Sequence, residues 1–350
     1  MRPEPEQHRA YRTWADAAAA ALQRWYRPRT GLWKTTGWWN CANALTTVIQ
    51  HSQRTSEPRY TYVIETTFRA AQRVNPGFSN QYYDDDGWWA LAWIAAFDLT
   101  GEAKYLNAAR ALFAGMAAGW DDVCGGGLWW TRRRTYKNAI PNELFLLLAG
   151  RLHQRTADDG TGYLDWALRE WHWFRASGLI GPAGLVNDGL TTDCANNGRT
   201  AWTYNQGVLI GGLAVLAEIT GDGDLVAQAE AIAAAALRGL TVPPGILAEP
   251  EERRAIGRRD DMAQFKGIFV RNLYELYLRS PRAEYRDFIL GNATSLWHHS
   301  RNRRDQVGLA WTGPFDRADA ARQGSALDAL NAAVGVTGAG PTSRQCRTGE

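Results

Sequence analysis

Three consecutive aspartates, at positions 84–86, form the part of this sequence best suited to acid–base chemistry. Tyr82 and Tyr83 precede them, and Gly87 and the pair Trp88-Trp89 follow. Neighbouring carboxylates repel one another, so they are tolerated where solvent or a substrate with developing positive charge compensates. Glycosidic bond cleavage has this requirement, because it passes through an oxocarbenium-like transition state and uses two carboxyl groups. The alternative is that the aspartates cap a helix that begins near Gly87.

The aromatic content and the charge pattern favour a sugar-binding protein over a nucleic-acid-binding one. The 350 residues include 17 tryptophans and 13 tyrosines, and the formal net charge is +3. Flat rings offer an apolar platform to a pyranose, although part of this excess must fill the core. Because both charge signs are interspersed, the basic stripe that a phosphate backbone requires is absent. We interpret the arginine-rich runs at 132–134 and 301–304 as solvated loops, with contact to an acidic glycan as the alternative.

Other features exclude several classes of protein. No apolar run approaches the ~18 residues that span a bilayer. The first eight residues lack the features of a secretory signal, so the sequence as written predicts a cytoplasmic protein. The four cysteines, Cys41, Cys124, Cys194 and Cys346, show no C-x-x-C spacing and predict packing residues, with neither a zinc site nor a disulfide framework. Phosphate-loop, zinc-protease and nucleophile-elbow motifs are absent, and the sequence does not fix an oligomeric state.

The positioning elements are predicted to be helices, because apolar residues recur at helical spacing and period-two alternation is nearly absent. Tight breaks at 100–102 and 220–222 alternate with long loops, as in repeated helical hairpins. Twelve helices paired as six hairpins predict an all-α protein with a closed (α/α)6 toroid, while bundles and open solenoids are alternatives. One domain is expected over 1–335, with a flexible tail at 336–350. The predicted helices are 5–26, 40–54, 59–74, 87–99, 102–118, 139–156, 160–177, 201–219, 222–238, 261–279, 282–300 and 318–333.

Further segments place polar groups beside aromatic rings where a loop meets an apolar helix. In 125–143, Asn138 is either a sugar ligand or a helix N-cap, and Trp129-Trp130 is either platform or core. The run at 202–207 favours a site, because its large polar residues are costly to bury unpaired. In 264–271, two cations need anionic partners of either kind, structural or catalytic.

The cations of that last segment are Lys266 and Arg271. A separate polar segment, 187–189, reads Asn-Asp-Gly, and a side-chain-capped turn is the safer interpretation of Asp188 there.

Taken together, these segments resemble glycoside hydrolase family 76. The resemblance rests on five motifs in the same order and at similar spacing, namely Tyr-Asp-Asp-Asp-Gly-Trp-Trp at 83–89, Gly-Gly-Gly-Leu-Trp-Trp at 125–130, Tyr-Lys-Asn-Ala-Ile with Asn-Glu at 136–143, Trp-Thr-Tyr-Asn-Gln-Gly at 202–207 and Phe-Lys-Gly-Ile-Phe-Val-Arg at 265–271. It covers about 14–333. The resemblance implies a six-hairpin toroid with endo-α-1,6-mannanase activity, which retains anomeric configuration through a covalent mannosyl-enzyme and needs no cofactor.

The resemblance also implies residue roles. Asp84 corresponds to the nucleophile and Asp85 to the general acid/base, since Trp89 lies at the expected offset; Asp85-Asp86 is the alternative register. The substrate-binding candidates are Trp38, Tyr82, Trp89, Trp130, Lys137, Asn138, Asn142, Tyr204, Asn205, Gln206 and Lys266.

Alternative functions stay open at this point. Members of the family that act on extracellular mannan are normally exported, which disagrees with the missing signal. Mannan transglycosylation would use the same glycosyl-enzyme, intercepted by a sugar hydroxyl instead of water. A sugar 2-epimerase would need histidines at the base of the funnel, and His51, His153 and His172 lack the polar framing of the other segments. A non-catalytic glycan-binding protein would bind mannan without releasing reducing ends.

Overall fold

A computed structural model describes residues 6–156 and 160–338, and these residues are mostly helical. Within them lie two short antiparallel hairpins, β1 (Tyr26–Arg27) with β2 (Leu32–Trp33) and β3 (Thr241–Val242) with β4 (Ile246–Leu247). The described helices are α1 (Glu6–Gln23), α2 (Trp38–Thr55), α3 (Tyr62–Ala70), α4 (Tyr83–Thr100), α5 (Ala103–Ala117), α6 (Ala139–His153), α7 (Tyr163–Ala176), α8 (Thr203–Thr220), α9 (Gly223–Gly239), α10 (Glu252–Ala255), α11 (Phe265–Arg279), α12 (Ala283–His299) and α13 (Ala320–Thr337).

Six of these helices form a closed inner ring. In order around the ring they are α2, α4, α6, α8, α11 and α13, and α13 packs against α2 to complete the circle. The other long helices lie outside, where α1 and α12 contact α13, α3 contacts α2, α5 contacts α4, α7 contacts α6 and α9 contacts α8. The predicted all-α toroid is therefore confirmed, and each predicted helix corresponds to an observed one.

Inner and outer helices differ in how their apolar residues are distributed. In α8 every residue from Thr203 to Ala217 is buried, because an inner helix has neighbours on several sides. The outer helix α9 buries mainly one stripe that includes Leu225, Ala229 and Ile232. Glycine allows the inner helices to approach closely: a Cβ added at Gly207 would lie 2.5 Å from the Phe269 Cα atom. No side chain fits there.

The inner helices all enter the ring from the same end, which we call the cleft end. Long segments lead to this end, including the α5–α6 loop (118–138) and the α7–α8 loop (177–202). At the opposite end the chain reverses tightly at Gly101 and Gly221, which adopt φ angles of 72° and 71° that favour glycine. These are the two tight turns expected from the sequence.

Some details differ from the sequence predictions. Helix α4 begins at Tyr83 and not near Gly87, so the aspartates lie inside its first turn. The short helix α10 was not predicted. Helix α13 continues to Thr337, and the rest of the expected flexible tail from 339 onward lies outside the described residues. None of the described helices is long and apolar enough to cross a membrane.

The prediction that no disulfide forms is wrong. Cys124 in the α5–α6 loop is bonded to Cys194 in the α7–α8 loop, across 70 residues of sequence. Because this pairing depends on two loops that meet only in the folded ring, no local spacing indicates it. Cys41 is buried, as expected of a packing residue, and Cys346 lies outside the described residues.

Candidate active site

The first turn of α4 directs its carboxylates to different neighbours. The N-cap residue Tyr82 makes no side-chain cap, and the Tyr83 N–H donates to the Trp130 carbonyl oxygen at 2.9 Å. Successive residues of an α-helix are rotated by about 100°, so adjacent aspartates cannot share one environment. The α5–α6 loop thus fixes the helix start from which the carboxylates project.

Asp86 is engaged in a structural network. Its carboxylate forms an ion pair with Arg132 at 2.7 Å and accepts hydrogen bonds from the Ser79 hydroxyl at 3.1 Å and the Asn80 N–H at 3.2 Å. Its side chain is only 1% exposed. Burial raises the pKa of Asp86, and the Arg132 guanidinium opposes that shift. The network fastens the α5–α6 loop to the start of α4.

Asp84 and Asp85 have different surroundings. Asp84 Oδ2 accepts a hydrogen bond from the Trp130 indole N–H at 3.2 Å, and its other oxygen has no partner on another side chain among the described residues. Asp85 Oδ2 accepts from the Asn80 side-chain amide at 2.6 Å, and the residue is 7% exposed. Neither carboxylate forms an ion pair within the described residues.

Burial raises the pKa of both aspartates. Desolvation brings the pKa of Asp85 to about 7, and the Asn80 amide partly counteracts it. The pKa of Asp84 is raised well above its usual range by desolvation and then by the neighbouring Asp85 charge. Two such close carboxylates resist simultaneous ionisation, so the pair retains a proton near neutral pH. One protonated and one ionised carboxyl group is the state that glycosidic cleavage requires.

Asp84 faces a cleft of about 310 Å³ at the cleft end of the ring. Its floor is aromatic: the Tyr204 and Phe265 rings stack at 3.8 Å, Trp88 stacks on Tyr204 at 6.4 Å, and Trp39 lies 5.8 Å from Trp88. The cleft is lined by Trp39, Asp84, Trp88, Trp130, Tyr136, Asn138, Asp188, Arg199, Tyr204, Asp261 and Phe265. A flat apolar floor beside carboxylates suits a sugar ring.

The two long loops meet at Asp188. The Tyr136 hydroxyl donates to the Asp188 carboxylate at 2.5 Å, and the Asn197 side-chain amide donates to the Tyr136 oxygen at 2.8 Å. Asn138 is the N-cap of α6, as its structural interpretation proposed, and it also donates to the Asp188 carbonyl oxygen at 2.7 Å. The turn interpretation of Asp188 is therefore replaced by a position in the cleft wall.

The structure brings only some of the predicted substrate-binding residues to the cleft. Trp130, Asn138 and Tyr204 line it with Asp84, while the Tyr82 ring packs beside Trp130 at 5.2 Å. Trp89 is fully buried.

The Trp89 ring packs against Trp38 at 4.6 Å, away from the cleft lining. Asn205 is also fully buried, and its side-chain amide has no partner among the described residues.

The remaining predicted residues hold loops onto inner helices. Lys137 donates to Asp121 at 2.9 Å and to the Gly127 carbonyl oxygen at 2.9 Å. Asn142 bonds both the N–H and the carbonyl group of Leu128, at 2.6 and 3.0 Å. These contacts organise the α5–α6 loop.

Equivalent contacts hold other segments in place. Gln206 bonds both backbone groups of Val186, at 2.8 and 2.9 Å. Lys266 pairs with Glu252 and donates to the Leu309 carbonyl oxygen at 2.7 Å. Its predicted anionic partner is thus a structural carboxylate.

Arg271 follows the same pattern. It pairs with Asp328 at 3.4 Å and donates to the side-chain amide oxygen (Oδ1) of Asn43 at 2.7 Å.

Sequence reasoning missed several residues of the cleft lining. Trp88, Tyr136 and Phe265 lie within the motifs quoted above, but the substrate-binding role was predicted for neighbouring residues of those motifs. Arg199 and Asp261 lie in long segments between helices, where no periodicity indicates which side chains turn inward. Trp39 likewise donates to Asp261 at 3.3 Å, a contact visible only in the fold.

Comparison with known proteins identifies the family. A sequence model of "Glycosyl hydrolase family 76" matches residues 11–345, nearly the whole chain. The chain belongs to glycosyl hydrolase family 76. The resemblance seen in the motifs is therefore confirmed.

Curated relatives of this family 76 chain match it in part. Mannan endo-1,6-alpha-mannosidase DCW1 of Saccharomyces cerevisiae is 36% identical over 154 residues, which cover 39% of this chain and 34% of the relative. Putative mannan endo-1,6-alpha-mannosidase C970.02 of Schizosaccharomyces pombe is 26% identical over 254 residues, or 67% of this chain and 57% of the relative. The matched stretch thus spans between about a third and somewhat over half of these relatives.

Solved family 76 structures match over most of the chain. The GH76A alpha-1,6-mannanase from Salegentibacter sp. HEL1_6 superposes with a TM-score of 0.83 at 26% identity, covering 92% of this chain and 98% of that one. An inactive variant of the same mannanase, with two consecutive aspartates replaced and alpha-1,6-mannotetrose bound, also gives 0.83 at 25% identity, covering 93% and 99%. The likeness therefore extends across the whole ring.

Proposed function

We propose that this protein is a retaining glycoside hydrolase that cleaves α-1,6-mannosidic linkages in mannan or manno-oligosaccharides. The observation that carries the proposal is the Asp84-Asp85 pair, in which both pKa values are raised and Asp84 lines an aromatic cleft. Family membership supports it, as do relatives named for this activity and a structural neighbour that holds alpha-1,6-mannotetrose. The chemistry needs no cofactor, and no cluster of three or more His, Cys, Asp or Glu in the described part of the chain is suited to a metal.

The proposed reaction has two steps. Asp85, protonated, donates its proton to the glycosidic oxygen while Asp84 attacks the anomeric carbon, so the leaving sugar departs and a mannosyl-enzyme forms. Asp85, now ionised, then takes a proton from water, whose oxygen attacks the anomeric carbon and releases Asp84. Two displacements at one carbon retain its configuration. Carboxyl groups on adjacent residues of a helical turn suit the ~5–5.5 Å separation of retaining enzymes.

The environment divides these roles. The Trp130 indole and the N-terminal end of α4 both stabilise negative charge on Asp84. Positive charge that develops on the sugar beside Asp84 favours the ionised form of Asp84 further. This attraction counters the raised pKa that Asp84 has when no substrate is bound. Asp85 then holds the shared proton, in keeping with its pKa of about 7.

The register Asp84-Asp85 is preferred to Asp85-Asp86. Asp86 is committed to its ion pair with Arg132 and to the 79–80 segment, whereas Asp84 lines the cleft and Asp85 has no cationic partner among the described residues. The Arg132 guanidinium at 2.7 Å occupies the Asp86 carboxylate and favours its ionised form, against the larger effect of burial on its pKa. Asp86 is therefore assigned a positioning role.

The test is an incubation with linear α-1,6-mannan, in which product lengths, reducing ends and the anomeric configuration of the first products are followed. Wild type is compared with Asp84→Asn, Asp85→Asn and a control, Asp224→Asn, which removes an exposed carboxylate from the first turn of the outer helix α9. Wild type and the control should release short α-configured oligosaccharides, and the other two variants should release none.

Other outcomes would redirect the assignment. Near-normal turnover by either cleft variant would contradict the proposed roles. Longer products without new reducing ends would indicate transglycosylation. Binding of mannan by folded wild type without cleavage would indicate a non-catalytic glycan-binding protein, and β-configured first products would exclude retention.

We also propose that the protein works in an oxidising compartment. The Cys124–Cys194 disulfide joins the two loops of the cleft wall, and such bonds persist outside the reducing cytosol. Thiol labelling of the protein in its native host, without reduction, should leave both cysteines unmodified. Labelling of both would favour the cytoplasmic location expected from the sequence.

A further inference from the structure

We propose that a polar pocket beside the catalytic cleft is a second sugar subsite, which binds another mannose unit of the same substrate chain. This proposal rests on the proposed function. The pocket has a volume of about 460 Å³ and lies where the turn before α2, the segment 259–261 and the start of α13 meet. It is large enough to receive a sugar unit, and it opens at the cleft end of the ring.

The pocket and the cleft share one lining residue. Asp261 lines both, and its Oδ1 atom accepts a hydrogen bond from the Trp39 indole N–H at 3.3 Å. Trp39 belongs to the aromatic floor of the cleft. A sugar chain that extends from Asp84 across Trp39 would approach the pocket at Asp261.

A buried polar group at the pocket lacks a partner. Asn40 lines the pocket and is 2% exposed, and its Oδ1 atom accepts a hydrogen bond from the Gly37 N–H at 3.0 Å. Its Nδ2 group has no partner among the described residues. A buried donor without an acceptor is costly, and a sugar hydroxyl would supply the missing acceptor.

The other polar groups of the pocket separate into occupied and available ones. Asp260 accepts from the Met262 N–H at 3.0 Å, and Asp319 pairs with the buried Arg322. Both of these carboxylates are used by the fold.

The available groups are Thr36 and Arg259, which form no side-chain hydrogen bond or ion pair within the described residues, together with the Asp261 carboxylate. The pocket thus offers both donors and acceptors. This mixture suits a neutral polyol better than a metal ion, for which the described residues hold no ligand cluster.

The experiment measures binding of α-1,6-mannotetraose and α-1,6-mannobiose to the Asp84→Asn protein by titration calorimetry. The second substitution is Asn40→Asp, which keeps the acceptor for the Gly37 N–H but replaces the free donor with a carboxylate near Asp261. Asn107→Asp, on the exposed face of α5, adds the same charge far from the cleft and is the matched control.

We expect Asn40→Asp to weaken tetraose binding about tenfold, as the loss of one buried hydrogen bond implies, and to change the tetraose-to-biose affinity ratio by a similar factor. Asn107→Asp should change neither. Thr36→Val, which removes one hydroxyl at constant shape, should weaken tetraose binding about threefold.

Two results would overturn the subsite, and they differ from a failure of the proposed function. Equal losses for both sugars on Asn40→Asp, or no loss for either, would place the sugar chain elsewhere while leaving the mannanase proposal intact. The Asp84→Asn protein could instead bind neither sugar although its thermal unfolding matches that of wild type. The proposed substrate class would then be wrong, and the proposed mannose subsite would be wrong as well.

Discussion

The cleft and a cavity at the opposite end of the toroid differ in size, and the cleft is the smaller of the two. That opposite cavity has a volume of about 510 Å³, against about 310 Å³ for the cleft. Two of the arginines that line it form ion pairs: Arg151 with Glu275 at 2.6 Å and Arg155 with Asp98 at 2.6 Å. At the cleft, Asp84 accepts a hydrogen bond from an indole and has no cation as a partner among the described residues.

This difference indicates that the pairing of carboxylates, and not the size of the cavity, sets the end with the proposed active site apart. The inner helices present their N-termini to the cleft and their C-termini to the opposite cavity, so carboxylates at the first and arginines at the second both match the helix dipoles. Asp98 and Glu275 at the opposite cavity have arginine partners, whereas Asp84 at the cleft has none among the described residues. Trp88 lines both cavities and separates the two environments.

The largest expected effect comes from removing one carboxylate from each end of the same helix. Asp85→Asn should lower turnover of α-1,6-mannan at least ~1,000-fold, because the general acid is lost. Asp98→Asn, at the far end of α4, should leave turnover within about twofold and lower the free energy of unfolding by at most ~1 kcal/mol, since its ion pair with Arg155 is partly exposed. Equal losses of turnover would remove the distinction between the ends.

The second prediction concerns pH. Asp85 must be protonated to act as the acid, so kcat/KM should fall about tenfold per pH unit above its pKa of about 7. A folded-state pKa above the usual 3.8 also means that the folded protein holds a proton the unfolded chain releases. Its stabilising contribution is therefore fully present below pH ~4 and is lost as pH rises to about 7.

Thermal unfolding between pH 4 and 8 checks the stability part. The fall in melting temperature should be shallower in Asp85→Asn, while Asp98→Asn should follow wild type. A kcat/KM profile that stays flat from pH 6 to 9 would contradict the assignment of Asp85.

The third prediction compares tyrosines. Tyr136→Phe removes the hydroxyl that donates to Asp188 at 2.5 Å and should reduce kcat/KM about tenfold, as expected for a carboxylate that loses one buried donor. Tyr274→Phe, in the lining of the opposite cavity, should change kcat/KM by less than about twofold. A larger loss for Tyr274→Phe would connect the two cavities functionally.

The smallest effect on turnover is expected from the disulfide. The double variant Cys124→Ser, Cys194→Ser should raise KM about threefold, because the Tyr136–Asp188 contact still joins the loops, and lower the free energy of unfolding by about 2–4 kcal/mol. Reduced wild type should behave like the variant. A free energy of unfolding that reductant leaves unchanged would show that the disulfide does not stabilise the protein.

Much of the ring was predictable because its information is local and repeated. Apolar periodicity identified each long helix, and the Thr-Gly turns at 100–101 and 220–221 identified two reversals. The start of α4 was misplaced because three aspartates resemble a cap, whereas the helix is fixed by a hydrogen bond from Tyr83 to Trp130, a residue distant in sequence.

The site was less predictable than the fold because a polar side chain in one of these motifs can either hold a loop in place or line the cleft. Asn142, Gln206 and Tyr204 were all predicted to bind substrate from their places in the motifs. Asn142 and Gln206 form hydrogen bonds with the backbone of loops, while Tyr204 lines the cleft. Asp261 and Arg199 carried no signal. Which of these residues turn inward depends on how long loops fold over the ring end.

The closure of the ring by α13 has a consequence for folding. The contacts of α13 with α1 and α2 join segments some 300 residues apart, and the His8 imidazole lies 3.1 Å from the Thr337 hydroxyl. Such distant pairings carry a large entropy cost and form late. While α13 is undocked, α2 and α11 lack their common neighbour, so a chain in that state exposes apolar surface that favours aggregation.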